Sequence, residues 1–272
     1  MTPLPDPTAL FSDYLRLTGV AHTTPEPAGD PALLGRRVGL LHGSAWIGLW
    51  GAYFGRVYLP GAHLVAVGNE AVQIAFMAAH ERGEPVPPPQ NIRAFVRYAR
   101  DLVELAGVDV VLITCSTMNR AYREVERALG PRGVPVVQID RPMMEAAVSR
   151  GGRALVVATH GPTVASTQAL LKETAEEMGR EIAFRGAEVE AAWERLAAGD
   201  VAGHNAVLAR TIREALAEDP GLSSVVLAQL SMAALLFSYP EPERAFGVPV
   251  YTSAECGFRR VREVLAERPR PA

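Results

Sequence analysis

Residues 110–118 read V-V-L-I-T-C-S-T-M, and this stretch decides the fold. Four aliphatic residues in a row, with no polar face between them, are the pattern of a parallel strand buried on both sides. The run passes through Thr114 to Cys115, and Ser116 and Thr117 follow before a helical spacing begins at 121–129. A buried strand therefore delivers a thiol to a strand-to-helix turn.

Working outward, residues 92–105 place Ile92, Phe95, Val96, Tyr98, Leu102 and Leu105 at helical spacing. Strands are expected at 37–41 and 63–67, with a buried helix ending near Phe54 between them. The proline-rich run 84–89 is a stiff polar loop. After the thiol turn come a strand at 134–139 and the start of a helix at 143–148. A second cycle follows, with strands at 154–158, 181–184, 224–228 and 248–251. Its helices are expected at 164–178, 189–197, 201–217 and 254–266. Strand alternating with helix predicts an α/β protein with mainly parallel sheets flanked by helices. Residues 1–35 are rich in proline and small residues, with one amphipathic piece at 10–17, and read as an extension on the surface or at a subunit contact.

The two cycles superpose. At an offset of 114, Val111-Leu112-Ile113 falls on Val225-Val226-Leu227, Thr117 on Ser231 and Met118 on Met232. His42-Gly43 and His160-Gly161 each follow an opening strand, which makes them candidate equivalents. A repeat this long implies a duplicated α/β unit rather than a solenoid. Two such lobes would pool their strand-end turns around one cleft, because ligands sit beyond the carboxyl ends of parallel strands. Cys115 then falls opposite Gln229.

Composition narrows the function. A net charge of -3 argues against nucleic acid or an anionic membrane as partner. Two cysteines so far apart suggest neither a disulfide framework nor a zinc site. Lys172 is the only lysine, on a polar helix face, which removes Walker-type phosphate loops and makes Schiff-base chemistry unattractive. Residues 38–55 carry no charge, but His42-Gly43-Ser44 interrupts them and Gly48, Gly51 and Gly55 dilute them, so a strand and a buried helix fit better than a membrane span. No signal sequence is recognisable at the N-terminus, and a cytoplasmic location is expected.

Cys115, ahead of a helix N-terminus, would have unpaired N–H groups to favour a thiolate. Those groups, with the Ser116 and Thr117 hydroxyls, would cradle a carboxylate or enediolate. A small buried hydrophobe is the other reading of the same cysteine. Thr159, Thr163 and Ser166 cluster at the corresponding turn of the second cycle, where each could equally be an ordinary cap. His42, Ser44, His160 and Glu70 are placed to line the cleft, although histidines and glutamates in such positions are often structural. Cys256 reads as packing, with Ser253 capping the last helix.

The C-S-T run at 115–117, A-T-H-G-P-T-V-A-S at 158–166 and V-L-A-Q-L-S-M at 226–232 resemble the aspartate/glutamate racemase superfamily, which includes hydantoin racemases, maleate isomerases and arylmalonate decarboxylases. The likeness spans roughly residues 37–265. It implies two pseudo-symmetric α/β lobes with the active site between them and a final strand returning to the first lobe. The corresponding division is 1–35 as extension, 36–148 plus 247–268 as first lobe, and 149–246 as second. It further implies cofactor-independent, metal-free proton transfer by a thiol beside the carboxylate of a small acid, with homo-oligomerisation left open. Racemases of this type use a cysteine from each lobe, yet Gln229 stands at the second position. The threonine motif is also one residue longer than the family's T-x-x-T-x-x-S, with Thr163 and Ser166 as the matching pair. The resemblance thus implies one catalytic thiol, Cys115, with Ser116, Thr117, Thr163 and Ser231 binding carboxylate and Gln229 orienting the substrate. One-sided chemistry, isomerisation or decarboxylation, fits this better than two-base racemisation, which would need Cys256 or His160 at the second face. A non-catalytic carboxylate binder is the competing class.

Overall fold

The computed structural model describes residues 5–19, 29–159 and 161–268. The first half contains α1 (Pro7–Thr18), β1 (Arg37–His42), α2 (Ala45–Tyr58), β2 (His63–Gly68), α3 (Glu70–Glu81), α4 (Pro89–Ala106), β3 (Val110–Ile113), a 3-10 turn (Ser116–Ala121), α5 (Tyr122–Leu129), β4 (Val136–Gln138) and α6 (Arg141–Arg150). The second contains β5 (Arg153–Ala158), α7 (Gly161–Glu177), β6 (Ala183–Glu188), α8 (Glu190–Ala197), α9 (Val201–Glu218), β7 (Leu222–Leu227), a 3-10 turn (Leu230–Ala234), α10 (Leu235–Ser238), α11 (Pro242–Phe246), β8 (Val250–Thr252) and α12 (Ser253–Ala266).

Each half builds a four-stranded parallel sheet, ordered β2-β1-β3-β4 and β6-β5-β7-β8. The central strands are the continuous aliphatic runs, and every residue of β3 is buried. Helices cover both faces, which is why these strands show no alternation. The expected α/β architecture of two similar halves is therefore present.

Three features depart from, or add to, the expectations. The last strand does not return to the first sheet: β8 pairs with β7, from Val225↔Val250 to Leu227↔Thr252. What crosses over is the helix after it. Ala254, Phe258, Val261 and Leu265 form one face of α12 and pack on Val38, Leu40, Val110 and Leu112 of the first sheet. In return, Met143, Met144, Ala147 and Val148 of α6 pack on Ala154, Val156 and Val226 of the second. Each half thus lends the other its last helix. Full burial of Phe258, Val261 and Leu265 contributes on the order of 1.5–3 kcal/mol each, enough to fix α12 on the foreign sheet.

Second, the strand expected at 181–184 lies at 183–188, because its pairing with β5 runs from Arg153↔Ala183 to Ala158↔Glu188. Third, residues 70–81, which apolar spacing leaves unassigned, form α3, with the Asn69 side chain accepting from the Ala71 N–H at 2.9 Å. Residues 38–55 are indeed a strand and a helix, and no helix among the described residues is long and apolar enough to cross a membrane. Within the N-terminal extension, α1 has no buried residue and touches α2, where Arg56 Nε donates to the Leu17 carbonyl at 2.9 Å.

Candidate active site

The strand register fixes which residues of the two halves correspond. The Thr114 N–H extends the first ladder by donating to Leu41 O at 2.9 Å, and the Ala228 N–H does the same to Val157 O at 3.0 Å. Cys115 is thus equivalent to Gln229, as the 114-residue offset predicts. On the neighbouring strand, however, Leu41 matches Val157, so Gly43 corresponds to Thr159 and His42 to Ala158. The His42–His160 equivalence is overturned: a recurring His-Gly pair suggested it, but the hydrogen-bond ladder sets the register. His160 itself lies outside the described residues.

Cys115 is extended at φ -105° and is followed by the 3-10 turn, whose Met118 N–H donates to Cys115 O at 3.0 Å. The expected α-helix N-terminus is therefore absent behind the thiol, since α5 begins only at Tyr122. Its place is taken by the Thr117 hydroxyl, 3.1 Å from Sγ, and by the N–H groups of Gly43, Met118 and Thr117. Burial pushes the thiol above its ordinary pKa, and these donors only partly oppose that. Cys115 rests as a protonated thiol. Gly43 leaves the sulfur room, because a Cβ at that position would stand 3.3 Å from Sγ, a tight contact.

In the second half the same backbone position meets a different group. The N–H and hydroxyl of Thr159 both donate to Gln229 Oε1 at 2.8 Å. Gln229 therefore presents a fixed amide across from the thiol. Both residues line a cleft of about 530 Å³ together with Ser44, Ser116, Thr117 and Ser231. Its other walls include Trp46 of α2, Met77 of α3 and Trp193 of α8.

The remaining candidates fall elsewhere. The His42 ring is buried between Gly48 and Gly68, whose Cβ atoms would come within 2.9 Å and 2.0 Å of it. Burial lowers its pKa against the opposing pull of the Ser44 backbone and of Glu70, and it is not among the residues lining the cleft. Glu70 accepts the Ala45 N–H at 3.0 Å and caps α2, which satisfies an orphan donor that Ser44 leaves. Thr163 is buried and its hydroxyl has no partner, while Ser166 donates to Thr163 O at 3.2 Å. Ser166 lines a neighbouring groove of about 830 Å³, which meets the cleft at Ser116 and Thr117. That groove is larger, but its charges satisfy one another through Arg120–Glu173, Arg141–Glu177 and Arg260–Glu145, and it holds no thiol. Cys256 is half-buried against the α6 cluster, its thiol pushed up to about 12 by burial, and it is not among the cleft residues. Ser253 lies within the last helix, whose cap is Thr252, accepting from Glu255 N–H at 3.1 Å.

One residue escaped the sequence reading altogether. Asp140 is buried without a basic partner, and burial raises its carboxyl to about 6. Asn119 Nδ2 donates to it, and the Ser116 and Ser253 hydroxyls face it. It thereby ties the thiol turn to the crossing helix α12. Its position directly before Arg141-Pro142 is a helix-start signal that could have drawn notice. Among the described residues, no cluster of three His, Cys, Asp or Glu side chains is placed to hold a metal.

The sequence profile of the Asp/Glu/Hydantoin racemase family matches residues 61–261. The chain belongs to that family. Solved structures agree on the fold. An aspartate racemase homologue from Pyrococcus horikoshii OT3 is 20% identical, with a TM-score of 0.63 over 85% of this chain and 100% of its own. Allantoin racemase from Klebsiella pneumoniae is 18% identical, with a TM-score of 0.57 over 88% and 96%. A cysteine-substituted arylmalonate decarboxylase in a sulfate-associated form is 20% identical, with a TM-score of 0.56 over 87% and 97%. None of the curated proteins matches the chain significantly in sequence. The family is one of racemases, and at these identities the structural likeness speaks for the fold alone.

Proposed function

We propose that the protein is a cofactor-independent enzyme that transfers a proton, from one face only, at the carbon next to a carboxylate, with Cys115 as its single catalytic thiol. The observation that carries this reading is the pairing of Cys115 with Gln229 at equivalent strand ends. A primary amide neither donates nor accepts a proton in the way a second thiol would. Among the described residues, symmetric two-base racemisation thus has no second thiol at the equivalent position.

In the proposed step the Ser116, Thr117 and Ser231 hydroxyls and nearby backbone N–H groups hold the carboxylate, and Gln229 orients the substrate through its amide NH₂. For a decarboxylation, the bond to the departing CO₂ breaks and its electron pair enters an enediolate. The Cys115 S–H then protonates the carbon, and the resulting thiolate is held by the N–H groups around it until solvent reprotonates it. For an isomerisation the Cys115 S–H first loses its proton to solvent. The thiolate then takes the proton next to the carboxylate, and the C–H electron pair enters the enediolate. The thiol returns the proton to a different carbon of the conjugated system while that pair closes the new C–H bond. The resting thiol form supports the delivering role. The same burial also suits a binder in which Cys115 merely lines the cleft.

The test is incubation in deuterated water with aspartate, glutamate, malonates, maleate and hydantoins, following α-proton exchange or product by NMR. Turnover that disappears in Cys115→Ala is expected. Turnover that survives the substitution removes Cys115 from the chemistry. Carboxylate binding without any turnover, undiminished by Cys115→Ala, supports the binder.

A further inference from the structure

We infer that Asp140 is a positioning residue for the carboxylate site: acting through the Ser116 hydroxyl, it takes up a proton when a carboxylate binds in the cleft. This rests on the reading above, in which Ser116 holds the carboxylate, and adds what controls that hold. Ser116 stands between two surroundings. It lines the cleft with Cys115 and Gln229, and its hydroxyl faces the Asp140 carboxyl behind the turn. Asp140 is only 1% exposed, and the side chains that act on it are Ser116 and Asn119 of the turn and Ser253 of α12, none of them charged. Asn119 Nδ2 donates to Oδ2, while Oδ1 and the Ser253 hydroxyl are buried and make no hydrogen bond. Charged groups on the adjoining elements are turned to one another instead: Arg141 to Glu145 and Glu177, Arg120 to Glu173, Arg260 to Glu145 and Glu263, and Arg259 to Glu255.

A hydroxyl has one hydrogen to give. An ionised Asp140 can only accept, so it draws the Ser116 hydrogen inward and leaves lone pairs facing the cleft. A substrate carboxylate there also offers only lone pairs. A protonated Asp140 donates to Ser116 Oγ instead, and the Ser116 O–H turns to the substrate. The two anions thus compete for one hydrogen, and a proton from solvent on the Asp140 carboxyl resolves the conflict without any change in bonding to carbon. Burial has already raised that carboxyl to about 6, so the proton is readily added near neutrality. The other ionisable side chains lining the cleft are Cys115, whose thiol burial keeps protonated, and the exposed His80, Glu188 and Glu190.

Calorimetric titration of the full chain with propanoate, lactate, aspartate and glutamate tests this, since their carboxyls stay ionised at pH 7. Repeating it in buffers of different ionisation enthalpy counts the protons taken up. Wild type should take up close to one proton per carboxylate bound, and should bind roughly tenfold or more tightly at pH 6 than at pH 8. Asp140→Asn, whose amide can donate to Ser116 as the protonated acid does, should bind with no proton uptake and with the same affinity at both pH values. His80→Gln should keep the uptake. Uptake that survives Asp140→Asn, or a pH dependence that survives Ser116→Ala, would overturn the inference by placing the effect on another group or on direct charge repulsion. Wild-type binding without uptake would overturn it even if every variant fails to fold, and would leave the role of Cys115 intact. Binding of no carboxylate at all would overturn both.

Discussion

The turn after β3 and the turn after β7 are the same backbone with different chemistry. Each leaves a buried strand in extended conformation, closes with an N–H three residues on donating to its first carbonyl at 3.0 Å, and continues as a 3-10 turn. A backbone N–H from the adjacent strand end faces the functional atom in both: Gly43 toward Cys115 Sγ, Thr159 toward Gln229 Oε1. In the first half the neighbour is glycine, which leaves the sulfur room. In the second it is threonine, whose hydroxyl adds a second bond to the amide. Duplication preserved the cradle and changed what lies in it.

Removing the occupied side of this comparison should have the largest effect. Cys115→Ala is expected to lower kcat by about 10²–10⁴, the usual contribution of a positioned acid or base, with unchanged far-UV circular dichroism. Restoring the missing side is the sharper experiment. Gln229→Cys places a thiol before the Thr159 N–H and should create slow racemisation of an enantiopure α-substituted acid, seen as loss of optical rotation. Adding Cys115→Ala must abolish it. If Gln229→Cys keeps normal turnover yet never racemises, the two turns are equivalent in backbone only.

The helix starts that follow the fourth strands also differ. Thr252 caps α12 in the ordinary way, whereas the Asp140 carboxyl turns from its own helix toward Ser116, Asn119 and Ser253. Its pKa is raised from 3.8 to about 6, so its contribution to stability is fully present at low pH and is lost as pH rises through 6. The shift corresponds to about 3 kcal/mol. Relative to wild type, Asp140→Asn should therefore gain stability between pH 4 and pH 8, read from urea midpoints at each pH. A constant difference across that range would remove the buried-acid account. The smallest effect is expected for Thr159→Val, which deletes the hydroxyl bond to Gln229 and keeps the N–H. It should cost about 0.5–1.5 kcal/mol in the same unfolding assay, with Cys115-dependent turnover retained.

Much of this arrangement was legible in residues 110–118 and their echo at 224–232. Strands buried on both faces must be uninterrupted aliphatic runs, and the polar turn after each had to be a strand end. The register of the first strands was not legible, because ladder hydrogen bonds set it and the His-Gly repeat misled. Nor was the destination of α12, since an apolar face reads alike whichever sheet it covers. The α3 wall of the cleft was hidden because Ala71–Ala79 is almost uniformly apolar and shows no stripe. Asp140 was missed because burial of a carboxylate leaves no mark on sequence.

The exchange of α6 and α12 also bears on how the chain reaches its native state. Phe258, Val261 and Leu265 cover Val38, Leu40, Val110 and Leu112, and Arg36 Nη2 donates to the carbonyls of Leu265 at 3.3 Å and Arg268 at 2.7 Å. Arg36 and Arg268 stand 232 residues apart in the sequence. During synthesis α2 can cover part of this face of the first sheet early, through Phe54 and Leu59, and the rest is covered only once α12 has been made. Each half carries a sheet face that a helix of the other completes, so the two sheets and the cleft between them are expected to consolidate together.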